Sequence, residues 1–300
     1  MTTWIKDDEH TWVQKFCKNI LKMGPVPKHV GFILDGNRRY AKGRNMESVD
    51  GHKKGFDKLS ETLRWCLDLG VEEVTVYAFS IENFKRSSEE VNGLMMLAKE
   101  KFEKLLEEKD EIHRIGVCIE VIGDWSLVPS DLKQLMAKAM IMTKNNSKLK
   151  LRVAFAYTAR NEMLRGVNSL ITGVSDGELV QDDVSEEMLE DAFQIHPPRD
   201  LDLLVRTSGE LRLSDFLLWQ SSETVICFTD VLWPDFTYWH LLAAVFQYQI
   251  NYLSLSKMDL KQQDVNQCSE SERRKANFSD RIRNDKWATL ALDSEPQVAA

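Results

Sequence analysis

Apolar runs alternate with amphipathic stretches along most of this chain. Short apolar segments near 30–35, 71–79, 117–123, 149–156, 201–206 and 224–229 read as buried strands. Between the first two, Phe56, Leu59, Leu63, Cys66 and Leu67 recur at helical spacing, and Gly70 closes the segment. Ser87 with Glu90 forms a capping-box pattern that opens a long helix through about Glu111, stopped by Gly116. Pro129 and Ser130 open another helix toward Asn146, a further one covers about 159–171, and 237–255 reads as the final helix of the alternation. Apolar strands alternating with amphipathic helices predict a single α/β domain. Its mostly parallel central sheet of about six strands is flanked by helices on both faces.

Two flanking segments differ from this core. In 1–24, Trp4 and Ile5, then Trp12, Val13, Phe16, Cys17, Ile20 and Leu21, form an amphipathic helix that the GPVP string at 24–27 breaks. Such a helix either packs on the domain, or lies on a membrane surface or over an apolar tunnel, roles its tryptophans would suit. Its polar face (Lys6, Asp7, Asp8, Glu9, Lys15, Lys18) is mixed in charge, so any membrane attraction would be chiefly hydrophobic. Residues 25–258 hold the alternating core, and 259–300 form a polar tail expected to be partly helical or disordered.

Composition narrows the function. With 43% hydrophobic residues the chain can build a substantial core, and a net charge of −8 argues against a nucleic-acid partner. Any polyanion must then be held by local arginine clustering. Five scattered cysteines without a CxxC spacing suit reduced thiols, and six histidines without HExxH spacing exclude an obvious zinc site. No secretory signal or run of 18 apolar residues is visible.

The chemistry sits where strands end. The run VGFILDGNRRY leaves a strand at Asp35 and continues into Gly36, Asn37, Arg38 and Arg39. Taken alone, it equally suits an aspartate capping the next helix beside solvated arginines. The pattern recurs, however. YAFSIENFKR places Ser80, Glu82, Asn83 and Arg86 at a second strand end, and DLDLLVRTSGELRLSDFLLWQ leaves a third at Arg206 before presenting Arg212 and Ser214. Arginines at three strand ends of a parallel sheet would converge on one crevice and could hold two phosphate-bearing ligands, with an acid for a metal ion.

These segments resemble the cis-prenyltransferases, the family that makes undecaprenyl and dehydrodolichyl diphosphates. DGNRRYAK (35–42), GH (51–52), YAFSIENFKR (77–86), RTSGELRLSDFLLWQ (206–220) and FTDVLWPDF (228–236) stand in the family's order, and the resemblance spans about 25–248. SIENFKR and the RTSGE segment look most like the eukaryotic dehydrodolichyl diphosphate synthase catalytic subunits. The resemblance implies condensation of isopentenyl diphosphate onto farnesyl diphosphate. The long-chain polyprenyl diphosphate product is the precursor of the dolichol carrier used in protein glycosylation. It further implies that Asp35 is catalytic and binds Mg²⁺, with Asn83 in a supporting catalytic role. Gly36, Asn37, Arg38, Arg39, His52 and Arg86 would bind the allylic diphosphate, and Arg206, Arg212 and Ser214 isopentenyl diphosphate. The implied location is peripheral, on the cytosolic face of the endoplasmic reticulum.

Three departures stand out. A family arginine four residues before His52 is Ser48 here, a metal-binding glutamate of single-chain members is Val225, and the C-terminal Arg-X-Gly motif is absent, DRIRNDK being the nearest string. The resemblance therefore implies a partner, a Nogo-B receptor-like accessory subunit that supplies the motif in trans. Trp239, Leu242, Val245 and Phe246 on the final helix are one candidate contact surface for it. An alternative is that this chain is itself a poorly active or non-catalytic subunit, although it retains the acid and the arginines. A trans-type prenyl synthase would need paired DDxxD motifs. The nearest approach is Asp182, Asp183 and Glu186, in an acidic string read as a solvated loop. A dehalogenase-type phosphatase would need a second aspartate where Asn37 stands.

Overall fold

The computed structural model describes residues 4–5, 10–193, 200–255 and 269–295. Six strands form one sheet: β1 (His29–Ile33), β2 (Glu73–Ser80), β3 (Val117–Ile122), β4 (Leu149–Tyr157), β5 (Leu203–Arg206) and β6 (Val225–Phe228). Every pairing is parallel, and the order across the sheet is β3-β4-β2-β1-β5-β6. The helices are α1 (Trp12–Leu21), α2 (Asn37–Gly43), α3 (Ser48–Leu69), α4 (Ser88–Glu107), α5 (Lys109–Ile115), α6 (Ser130–Thr143), α7 (Ala159–Ser175), α8 (Glu186–Asp191), α9 (Tyr238–Leu255) and α10 (Ser269–Ser294). The α/β fold with a six-stranded parallel sheet is the one the apolar pattern predicts.

Alternation along the strands builds two cores. Val30, Phe32, Leu203 and Val205 face the larger one with α3, α4, α6 and α9, while Ile33 and Leu204 face the smaller one with Tyr157, Phe216 and Leu217. After β1 the chain moves to β2 on one side, and only β5 and β6 fill the other side. β1 and β5 thus flank a topological switch point. Connections leaving in opposite directions open a crevice outside their carboxyl ends.

The structure corrects several details of the sequence reading. The helix expected to run unbroken to about Glu111 is interrupted at Glu108 and continues as α5. Its capping box is half-formed: Ser87 Oγ accepts from Glu90 N–H, but the Glu90 carboxylate turns to Arg86 (2.9 Å) and Arg38 (3.8 Å), where two guanidiniums outbid a neutral backbone donor. In the acidic loop, Asp182 is exposed but Asp183 is buried. It accepts two bonds from Arg274 (2.7 and 3.0 Å) and one from Ser271, and the Arg274 bonds hold its carboxyl well below the usual range.

Residues 256–268, including the expected boundary at 258 and the start of the polar tail, lie outside the described residues. Beyond them α10 is an ordered helix against α6 and α8, with Phe278 and Leu290 buried. Lys286 reaches Glu120 on β3, which also pairs with Arg152, a fully buried arginine that binds Glu73 as well. The buried charges are therefore mutually paired, as burial requires.

On α1 the wide apolar face divides. Leu21 and, in part, Cys17 turn inward near α9, while Trp12 (78% exposed), Phe16, Ile20 and Met23 form an outward stripe. Lys6, Asp7, Asp8 and Glu9 of its expected polar face lie outside the described residues. No helix among the described residues is long and apolar enough to cross a membrane.

Candidate functional site

β1 delivers Asp35 to the crevice, and the turn that follows fixes it. Gly36 adopts φ 104°, and a Cβ there would also meet the Leu232 backbone at 3.1 Å, so only glycine serves. The Asp35 backbone is clamped from three sides. Its N–H bonds Ile33 O (2.9 Å), Thr207 Oγ1 donates to its carbonyl (2.8 Å), and Trp233 N–H reaches the same oxygen (2.9 Å). The carboxylate does not cap α2, whose start has no side-chain cap. Oδ1 accepts from Gly36 N–H (2.7 Å) and Oδ2 from Arg206 Nη2 (2.9 Å), while Arg39 stands 3.8 Å away. Burial raises the Asp35 carboxyl pKa, but the Arg206 bond, the Gly36 N–H and the two arginine charges outweigh it and leave the group below its ordinary value.

Arg206 ends β5 and is 3% exposed. Besides Asp35 it donates to the Arg212 carbonyl and to Ser214 Oγ (2.6 Å), so it ties the 206–217 loop to the acid. Arg39 donates to Ser208 and lies 3.6 Å from Glu210, which also pairs with the largely exposed Arg212. On the other side, Arg38 and Arg86 meet at Glu90. Asn83 closes a short 3₁₀ turn over Ile81–Lys85 with Ser80. Its Oδ1 accepts from Ser80 N–H (3.0 Å), leaving the amide nitrogen to donate elsewhere. Glu82 pairs with Lys85 at the rim.

All of the sequence-derived site residues line one cavity of 1010 Å³: Asp35, Gly36, Asn37, Arg38, Arg39, His52, Asn83, Arg86, Arg206, Arg212 and Ser214. That volume is at the top of the roughly 300–1,000 Å³ range of small-molecule pockets. Behind the polar mouth the wall is apolar: Val76, Phe79, Val153 and Phe155 from the sheet, Phe56 and Leu59 from α3, Leu94, Leu97 and Phe102 from α4. Trp4 also lines it, packed edge-on against Phe56 at 5.0 Å and bonded through Nε1 to Lys101 O (2.9 Å). Charge at one end and a greasy channel at the other suit an amphiphile with an anionic head. Trp4, in the segment that the sequence offers as one that could lie over an apolar tunnel, lines this cavity, and Tyr77 lines it without a signal of its own in the sequence.

Three polar atoms at the mouth are buried without a hydrogen-bond partner among the described residues: Asn37 Oδ1, His52 Nε2 and Arg206 Nε. Gly55 on α3 makes room for the first, since a Cβ would stand 2.2 Å from Asn37 Oδ1. Among the described residues no group of three or more His, Cys, Asp or Glu side chains could cage a metal. The Asp35 carboxylate at the cavity mouth fits a cation that completes its shell with ligand phosphate and water, the habit of Mg²⁺. Of the departures, Ser48 opens α3 one turn before His52 and does not line the cavity. Val225 is the first residue of β6, paired with Leu203, about 10 Å along the strands from the crevice end. DRIRNDK lies within α10, whose Lys286 is fixed to Glu120 on the sheet's far edge strand.

Burial pushes the His52 imidazole down to about 4, helped by the Arg86 and Arg38 charges. The ring is therefore neutral at physiological pH. Because the folded pKa is below that of the unfolded chain, the unfolded state binds more protons between about pH 6.5 and 4. Stability is then full above that window and falls as pH drops through it, by at most about 3 kcal/mol from this group. Urea unfolding at pH 7 and pH 4.5 should show a smaller acid loss in His52→Gln than in the wild type. A ring titration with a midpoint near 6.5 in the NMR spectrum would contradict the assignment.

The family model described as putative undecaprenyl diphosphate synthase matches residues 33–253. A dehydrodolichyl diphosphate synthase complex subunit of Homo sapiens is 52% identical over 255 residues, which cover 85% of this chain and 77% of that protein. One from Schizosaccharomyces pombe is 43% identical, covering 77% and 88%. The crystal structure of lavandulyl diphosphate synthase from Lavandula x intermedia in complex with dimethylallyl diphosphate superposes with a TM-score of 0.71 at 31% identity, covering 75% of this chain and 95% of that one. The strand-end acid and arginines thus stand in a chain that belongs to the undecaprenyl diphosphate synthase-like, or cis-prenyltransferase, family.

Proposed function

We propose that this chain is the catalytic subunit of a dehydrodolichyl diphosphate synthase, which elongates farnesyl diphosphate by successive cis additions of isopentenyl diphosphate. The single observation that carries this reading is the cavity itself, with the Asp35 carboxylate among clustered arginines (Arg38, Arg39, Arg86, Arg206 and Arg212) at its mouth and an apolar channel behind. The prenyl tail occupies the channel, where burial of apolar surface drives its binding. Arg38, Arg39 and Arg86, with the Gly36–Asn37 turn, hold the allylic diphosphate, and Arg206, Arg212 and Ser214 hold that of isopentenyl diphosphate.

Asp35 is the residue that would hold Mg²⁺, which when bound supplies positive charge against the departing diphosphate. The guanidiniums stabilise the same charge as the allylic carbon–oxygen bond breaks and the new carbon–carbon bond forms. The Asn83 amide, anchored on Ser80, is aimed as a neutral donor. The neutral His52 ring adds no charge of its own, and the proton lost from the isopentenyl unit passes to a diphosphate oxygen. The outward-facing Arg212 and Leu211 of the loop after β5, with Trp239, Phe246 and Ile250 exposed on α9, support a hetero-oligomer with a Nogo-B receptor-like subunit. The outward stripe Trp12, Phe16, Ile20 and Met23 supports peripheral attachment to the endoplasmic reticulum membrane, where the lipid product is used.

The test is incubation with farnesyl diphosphate, labelled isopentenyl diphosphate and Mg²⁺, followed by chromatography of the lipid product. A ladder of polyprenyl diphosphates is expected, and its absence from the assembled complex would overturn the reading. The two diphosphate sites separate by mutation. Arg212→Ala should raise the KM for isopentenyl diphosphate about tenfold or more, and Arg39→Ala that for the allylic primer, each losing a charged hydrogen bond. Equal effects of both changes on both substrates would sink the two-site assignment.

A further inference from the structure

The loop between β5 and β6 carries Arg212 and Ser214 in a backbone that its side chains disfavour. Ser208 (φ 79°), Ser214 (51°), Asp215 (62°) and Leu217 (46°) all lie in the left-handed region without being glycine. Such conformations persist only where surrounding contacts over-determine them. Three anchors do so around Ser214 and Asp215. Arg206 binds the Ser214 hydroxyl at 2.6 Å. The start of α7 holds Asp215, with Ala159 N–H on its carbonyl (2.8 Å) and Arg160 N–H and Nε on its carboxylate (3.1 and 2.8 Å).

The third anchor comes from β2. Tyr77 shares its hydroxyl proton between the carbonyls of Tyr157 (3.1 Å) and Ser214 (3.2 Å), and among the described residues it is the donor to the Ser214 carbonyl. Its ring stacks on that of Phe216 at 4.6 Å and 16°, and Phe216 is fully buried beside Leu217. Tyr157 packs edge-on against both rings. The hydroxyl stays a donor at any working pH, since burial pushes it up to about 12.

We infer that Tyr77 is a positioning residue for the second substrate: by fixing the Ser214 carbonyl and the Phe216 ring it holds the strained loop that presents Arg212 and Ser214, and so sets the affinity for isopentenyl diphosphate. This rests on the assignment of that loop to isopentenyl diphosphate. Tyr77 reaches the loop from the strand whose own end leads to Ser80, Asn83 and Arg86, so the two diphosphate sites are braced against each other through one side chain. Tyr77 acts through Ser214 and Phe216, not on the reacting atoms.

The test uses the full chain co-purified with its accessory subunit, comparing wild type with Tyr77→Phe, which keeps the stacked ring and removes only the hydroxyl. The KM for isopentenyl diphosphate should rise about fivefold, as for one lost hydrogen bond, while the KM for the allylic primer and the thermal midpoint stay unchanged. Asp215→Ala, which frees the same loop from α7, should move the same KM in the same direction. Should Tyr77→Phe leave the isopentenyl KM unchanged, or raise both KM values alike with a lowered midpoint, the positioning role is overturned. Failure of the wild type to consume isopentenyl diphosphate would instead overturn the underlying site assignment.

Discussion

Asp35→Ala should reduce turnover about a thousandfold, the equivalent of roughly 4 kcal/mol of lost transition-state stabilisation. Among the described residues Asp35 is the carboxylate that Arg206 binds and that the β1 turn clamps into the crevice. The alanine change also leaves Arg206 buried without its carboxylate, so some stability goes with the activity. Asp35→Asn separates the two effects, because its amide oxygen still accepts from Arg206 while the negative charge is gone. The asparagine variant should melt within about 3 °C of wild type, on the scale of 2–4 °C per kcal/mol for a chain this size, yet be almost as inactive as the alanine. Turnover above about a tenth of wild type in either variant would show that the carboxylate's charge is not what the reaction needs.

Much of this site is legible in sequence because strand ends are. An apolar run followed by Asp35-Gly36 or by Arg206 marks a buried strand meeting a polar turn, and parallel topology gathers such turns on one edge of the sheet. What stays hidden has physical reasons. α2 carries no apolar period, since NRRYAKG buries only Ala41. The first turns of α3 are invisible for the same reason: Gly51 and Gly55 are small so that Asn37 can approach, and His52 lines the cavity. Glu90 has the spacing of a capping box, but the two arginines that draw its carboxylate away are neighbours in space, which local spacing does not reveal. Asp183 reads as solvated loop because its partner Arg274 lies 91 residues along the chain. Tyr77 looks like an ordinary strand residue, and only the folded cavity gives it a role.

Co-expression with an accessory subunit should raise turnover at least tenfold over the lone chain, a gap of about 1.4 kcal/mol or more in the barrier. The reason lies in the isopentenyl site, where Arg212 is largely exposed and the adjacent Leu211 is 77% exposed, so the loop is open on its outer side. This chain's own DRIRNDK string is held on the opposite edge of the sheet by the Lys286–Glu120 pair and does not close that side. A glutamate in place of Val225 would start β6 at the end remote from this crevice, so restoring it should not make the lone chain efficient. Backbone donors from a partner's Arg-X-Gly tail would supply what the loop lacks, and deleting that tail should return the pair to lone-chain turnover with a raised KM for isopentenyl diphosphate. The contact surface expected on the final helix is only partly free. Leu242 and Val245 belong to the core, whereas Trp239, Phe246 and Ile250 on α9 remain exposed for a partner of the same fold. Full activity from the purified chain alone, unchanged by adding the partner, would mean that the open loop is sufficient by itself and would overturn the need for a partner.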